Sequence, residues 1–322
     1  MSLSTLNSPS LVATAGVGLG YAFPLIQEIV IKSPWAAVRI ANLVSYGINF
    51  ISVSRPGRMD GEAAKDGKLS PRNGKTLVAP AGWAFAIWGP IFLGEAIGLV
   101  AQFIVPENAP IVRLLKETSG PFIVAQLFQS LWCAAFRPKY NENKMFISVG
   151  MLSATAYSLS KAHAVFAATG AKALYSSWQY GIFFFPMALH FGWTTAASLV
   201  NLNGAIAMKQ NATEKVIAFV GHTSVILASV LGVILSQKRN APVYSGVIAW
   251  ALMAVADSMK KRLDIASEKK HSPKKNATQV GLYGAPTQLL LAKTGGIVNM
   301  ITSGLLSVMI LFSNGARSFP AP

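Results

Sequence analysis

Glu95 is the residue whose position first demands a chemical explanation. It lies seven residues after Trp88, in the middle of the apolar stretch "PAGWAFAIWGPIFLGEAIGLV" from Pro80 to Val100. On a helix that spacing is two turns along one face. An ionised carboxylate is costly in hydrocarbon, so Glu95 is either protonated or paired, and the sequence offers Lys293 and His222 as partners. Gly94 and Gly98 beside it form a small-xxx-small pair that lets another helix approach closely, including one from a second copy of the chain. His190 is the second candidate. Its imidazole suits two roles: an axial ligand to a haem- or chlorophyll-type metal, or a hydrogen bond to a neighbouring helix.

Other polar residues fall into lines at helical spacing. His190, Trp193, Thr194, Ala197 and Asn201 share one face, as do Asn42, Ser45 and Asn49. Gln126, Gln129, Ser130 and Cys133 make a third line, with Trp132 alongside. Polar groups in hydrocarbon must face other helices or a cavity. Two readings follow: interhelical hydrogen bonding, worth about 0.6 kcal/mol a contact, or a ligand pocket between helices.

Most catalytic chemistry is excluded. There are no paired His ligands at metal spacing, no Gly-rich phosphate loop after a strand and no Ser-His-Asp arrangement. Acidic residues are almost absent from the apolar segments, which leaves a carboxylate-driven proton pump without its parts. A retinal Schiff base on Lys293 would lack a buried counter-ion. The single cysteine, Cys133, allows neither a disulfide framework nor a thiolate cluster and reads as a packing residue.

The elements that must position these residues are membrane spans. Of 322 residues, 52% are hydrophobic and only 12% charged, about half the charge of a soluble domain. Apolar runs predict helices at about 35–53, 80–104, 120–137, 145–166, 178–207, 214–236, 242–259 and 288–313, each bounded by charge, Pro or Gly. The runs at 120–137 and 242–259 are short for a crossing that takes roughly 20 residues, and 178–207 is long enough to tilt or to kink at Pro186. Residues 1–31 are apolar but interrupted by Pro24 and Glu28, and read either as a further span or as a targeting segment.

The net charge of +16 is concentrated in alternate connections, which fall on one side of these spans: "SRPGRMDGEAAKDGKLSPRNGK", "RPKYNENK", "KQNATEK" and "KKRLDIASEKKHSPKK". That pattern predicts a cytosolic, stromal or matrix-side basic face against an anionic bilayer, and argues against nucleic acid as a partner. Both "NAT" sequons, at Asn211 and Asn276, fall on this face, where glycosylation does not reach. The basic block 260–275 reads as a solvated loop, with a lipid-headgroup or regulatory patch as the alternative.

Three stretches resemble the TspO/MBR (tryptophan-rich sensory protein and translocator) family. Pro80, Gly82, Trp83, Phe85 and Trp88 are similar to the motif opening that family's second helix, with Ala81 and Ala84 between them. "FQSLWCAAF" resembles the end of its third helix, with Gln129 where Asn is usual and Trp132 and Phe136 kept. Trp193, Ala197 and Asn201 keep the spacing of its fifth helix. "FPMALHFGWTTAASLVN", with His190 in place of a Tyr, and "VIAWAL" around Trp250 look most like the longer, divergent branch. The likeness spans 35–259.

The resemblance implies an all-α bundle with a five-helix core extended to about seven or eight spans. The chain then divides into an N-terminal segment (1–34), the TspO-like domain (35–259), a basic loop (260–287) and an extra C-terminal helix with its tail (288–322). It also implies a cavity for hydrophobic ligands of porphyrin or sterol type, lined by Trp88, Trp132, Trp193, Ala197 and Asn201, to which the residues themselves add Glu95 and His190. The expected activity is binding or carriage of a planar lipophile, with a porphyrin or other tetrapyrrole as the possible ligand. The alternative is an accessory subunit of a larger, pigment-containing membrane assembly. An enzyme acting on porphyrin comes third, for want of acid–base groups.

Overall fold

A computed structural model describes residues 7–59, 75–140, 142–168, 170–270 and 283–315. Most of the first basic loop (60–74), the end of the 260–275 block and Asn276 lie outside the described residues. Among those described there is no strand; nine long helices account for the fold. They are α1 (Pro9–Lys32), α2 (Trp35–Ser54), α3 (Trp88–Ala101), α4 (Ile111–Ala135), α5 (Met145–Phe166), α6 (Phe185–Ala207), α7 (Glu214–Arg239), α8 (Pro242–Lys270) and α9 (Ala285–Gly315). The expected polytopic helical bundle is what the chain forms, and eight of these helices follow residue 34.

Local chemistry sets the ends. Ser8 Oγ accepts from the Leu11 N–H and Pro9 opens α1, while Thr213 caps α7 in the same way. α7 ends at Asn240 in the left-handed region (φ 48°), and Pro242 then starts α8. Successive helices run in alternate directions. The Met59 N–H donates to the Phe136 carbonyl, Arg137 to the Pro56 carbonyl and Arg262 to the Thr76 carbonyl, which gathers the described parts of the basic connections at one end. At the other end Arg39 donates to the Phe103 carbonyl and Arg239 to the Ser160 carbonyl.

Two groups of helices meet on α6. α4 packs against α1, α2 and α5 on one side; α7, α8 and α9 pack together on the other. α6 touches α5, α7 and α8, and α3 lies across α6 against α2. Seven helices are long and apolar enough to cross a membrane; α4 and α5 do not meet that measure. The exceptions are interior helices, whose Thr118, Ser119, Gln126, Gln129, Thr155 and Ser158 are all buried. Neighbouring helices, rather than lipid, surround their polar side chains.

Two helices run well beyond the bounds expected. α8 runs on through the basic block as far as Lys270 instead of ending near 259. α4 begins at Ile111 rather than 120, with Pro121 inside it. Proline removes the N–H that would bond the Glu117 carbonyl four residues back. Gln27 of α1 replaces that donor: its Nε2 lies 3.0 Å from the Glu117 carbonyl oxygen. Gly120 leaves room for it, since a Cβ there would collide with the Gln27 side chain. Residues 9–32 are thus a folded helix bonded into the bundle.

Candidate functional site

The stretch 80–104 enters the bundle in two steps. Residues 82–87 form a 3-10 segment, and the α-helix starts at Trp88. Pro90 falls in the first turn, where its missing N–H costs nothing. The segment is clamped to α8 by three bonds. The Ala81 N–H donates to the Ala254 carbonyl (2.9 Å), Trp250 Nε1 to the Ala84 carbonyl (3.0 Å), and Trp83 Nε1 to Asp257 Oδ2 (3.0 Å). The Trp83 and Trp250 rings meet edge to face at 4.7 Å. Trp83 is therefore a clamp on α8.

Behind the clamp is a small apolar cavity of about 40 Å³. Phe85 and Pro80 from the segment, Trp193 and Ala197 from α6, Ala228 from α7 and Ala251 from α8 contribute to its walls. Phe85 meets Trp193 edge to face at 5.6 Å, and Trp88 meets Trp193 at 6.2 Å. The Trp193 side chain is 2% exposed, and its indole N–H has no hydrogen-bond partner. Buried indole N–H groups normally find one.

Next to these indoles sits the buried acid. Glu95 Oε1 lies 2.7 Å from His190 Nδ1, with both side chains almost fully enclosed. Gln126 Nε2 donates to the other carboxylate oxygen at 3.0 Å. Asn49 Nδ2 in turn donates to Gln126 Oε1 and, at 3.0 Å, to Gln129 Oε1. One polar chain thus links α6, α3, α4 and α2. The partners expected for Glu95 are corrected here: His222 bonds Gln288 instead, and Lys293 is exposed on α9. Helical spacing shows which residues share a face but not which helix that face meets. Gly94 and Gly98 are used within the chain. A Cβ on Gly94 would come within 2.6 Å of Pro186 Cγ, and one on Gly98 within 2.8 Å of the Ile182 carbonyl oxygen.

Of the residues singled out in the sequence, Trp88, Glu95, His190 and Trp193 come together; the Trp88 and His190 rings are 5.7 Å apart. Ala197 is one turn further along α6, between Trp193 and the cluster that holds Trp132. Trp132 stands apart from the cavity, stacked on Phe136 at 5.1 Å with the Arg58 guanidinium 5.6 Å from its ring. Asn201 Nδ2 bonds Ser148 Oγ of α5 at 3.3 Å. The stripes of α2, α4 and α6 therefore serve largely as interhelical contacts. Yet His190 Nε2, Gln129 Nε2, Trp132 Nε1 and Asn201 Oδ1 are also buried without a partner.

Asp257, Ala228 and Ala251 escaped the reading of the sequence. The acid near the end of a predicted span was a usable signal for Asp257; alanines in an apolar helix carry none. No group of His, Cys, Asp and Glu suited to a metal ion occurs among the described residues. A tetrapyrrole does not fit the cavity as it stands: pockets for ligands of even drug size run to about 300–1,000 Å³.

The family described as TSPO-like protein matches residues 38–267. No curated protein and no solved structure matches the chain. The match takes in α2 to α7 and nearly all of α8. α1 and α9 lie beyond it, on opposite edges of the bundle, against α4 and α7–α8 respectively. With seven helices apolar enough to cross a bilayer, this is an integral multi-pass membrane protein, and it belongs to the TSPO-like protein family.

Proposed function

We propose that the protein binds a planar lipophilic small molecule between α6, α7, α8 and the clamped segment 78–87, as a membrane receptor or carrier. The observation that carries this reading is Trp193: a buried indole with an unpartnered N–H on the wall of an apolar cavity. A flat ligand stacks on Phe85 or Trp193 and takes that N–H with one acceptor atom. The cavity is about 40 Å³, so binding requires the clamped segment to lift from α8. Tetrapyrroles and sterols are the ligand classes to try, and the basic loops then face the cytosol, stroma or matrix.

The smallness of the cavity favours one rival, an accessory subunit whose exposed apolar faces contact other membrane proteins. Titration of the detergent-purified chain with porphyrins and sterols, followed by tryptophan fluorescence, separates the two. Saturable quenching lost in Trp193→Phe supports the pocket. Absence of saturable binding, with stable co-purification of a membrane complex, removes it.

A further inference from the structure

An open groove of about 860 Å³ lies at the basic end of the bundle, where α2 and α4 give way to their loops. It is distinct from the cavity by Trp193. One wall is apolar: Ile48 and Ile51 of α2 line it, and their side chains are 44% and 57% exposed, on the outer face of the bundle. The rim is cationic, formed by Arg55, Arg137 and Lys139. No acidic residue lines it among those described.

The rim is built rather than incidental. Arg137 lies across the turn at 55–57, with Nη1 3.0 Å from the Pro56 carbonyl oxygen. Gly57 has φ +89°, and a Cβ there would come within 2.7 Å of Arg137 Nη1, so only glycine serves both the turn and the contact. The carbonyl bond fixes the guanidinium while its Nε is buried without a partner. A guanidinium held by one nitrogen keeps further donors for an oxyanion.

We propose that this groove binds an anionic phospholipid, its phosphate on Arg137, Arg55 and Lys139 and an acyl chain along Ile48 and Ile51. The apolar wall open to the bilayer and the cationic rim match the two ends of such a lipid. Each cation near a bilayer surface contributes about fivefold in affinity for anionic lipid.

The test uses the full chain, delipidated in detergent and titrated with phosphatidylglycerol or phosphatidylcholine, with bound lipid counted by native mass spectrometry. Phosphatidylglycerol is expected to occupy one site, with phosphatidylcholine clearly weaker. Arg55→Gln and Lys139→Gln, on the accessible rim, should each weaken phosphatidylglycerol about fivefold. Arg137→Gln should weaken it further, and its thermal unfolding checks that the fold survives. Lys260→Gln, an equal charge change on α8 away from the groove, should leave binding unchanged. Equal losses from Lys260→Gln and the rim variants would overturn the proposal, as would equal binding of the two lipids. Displacement of phosphatidylglycerol by millimolar inorganic phosphate would also overturn it, in favour of a free-anion site.

Discussion

Glu95 Oε1 and His190 Nδ1 lie 2.7 Å apart across the contact between α3 and α6, with both side chains almost fully buried. The pair is neutral overall whichever partner holds the proton, so it escapes the cost that either charge alone would carry in hydrocarbon. Gln126 satisfies the far oxygen of the acid. His190→Phe should therefore destabilise the protein by about 3–5 kcal/mol, because the acid loses its counterpart. Adding Glu95→Gln to that variant should recover a large part, since an amide leaves no charge to bury. Unfolding in detergent measures all three; additive losses would mean the two groups do not act as a pair.

The bond from Gln27 to the Glu117 carbonyl makes a second prediction. Gln27→Leu leaves a carbonyl unpaired inside the bundle and should cost about 1–3 kcal/mol. In a Pro121→Ala background the backbone N–H restored at that position bonds the same carbonyl, so Gln27→Leu should cost much less. An undiminished loss in the double variant would show that Gln27 acts through packing alone.

Loosening the clamp should speed ligand entry. Trp83→Phe removes the bond to Asp257, and Trp250→Phe removes the bond to the Ala84 carbonyl. Each should raise the association rate of a quenching ligand in stopped-flow fluorescence while moving stability by about 1 kcal/mol. Unchanged rates in the double variant would point to an entry route elsewhere.

Filling the cavity should do the reverse. Ala251→Val places two further methyl groups in a space of about 40 Å³, and such a small-to-large change in a packed core costs about 1–3 kcal/mol. Saturable quenching should disappear while melting falls by no more than that cost allows. Retained binding would place the ligand outside this cavity.

The sequence made some of this architecture legible and hid the rest for definable reasons. Apolar runs located most spans, and the spacing of Trp88, Glu95, His190 and Trp193 marked them as inward-facing. Their pairing was not visible, because a helical stripe says nothing about the helix opposite. The predicted run began at 120, beside Pro121; the donor that repairs the helix there, Gln27, comes from another helix and could not be seen in the sequence. The basic block after Met259 looked like a loop because charge ends a span; α8 simply leaves the apolar layer and continues as helix. The bond from Trp83 to Asp257 was not visible either, because it joins residues 174 positions apart.

The repair of α4 by α1 also bears on biogenesis. α4 carries buried glutamines and a proline-broken bond, and is among the helices least suited to enter lipid alone. The chain is made from its N-terminus, so α1, with the donor for Glu117, is already available when α4 emerges. A chain starting at Trp35 would present α4 to the bilayer with that carbonyl bare, and should insert it poorly when its topology is mapped by engineered glycosylation sites. Correct insertion of α4 in that shortened chain would show that its assembly does not depend on α1.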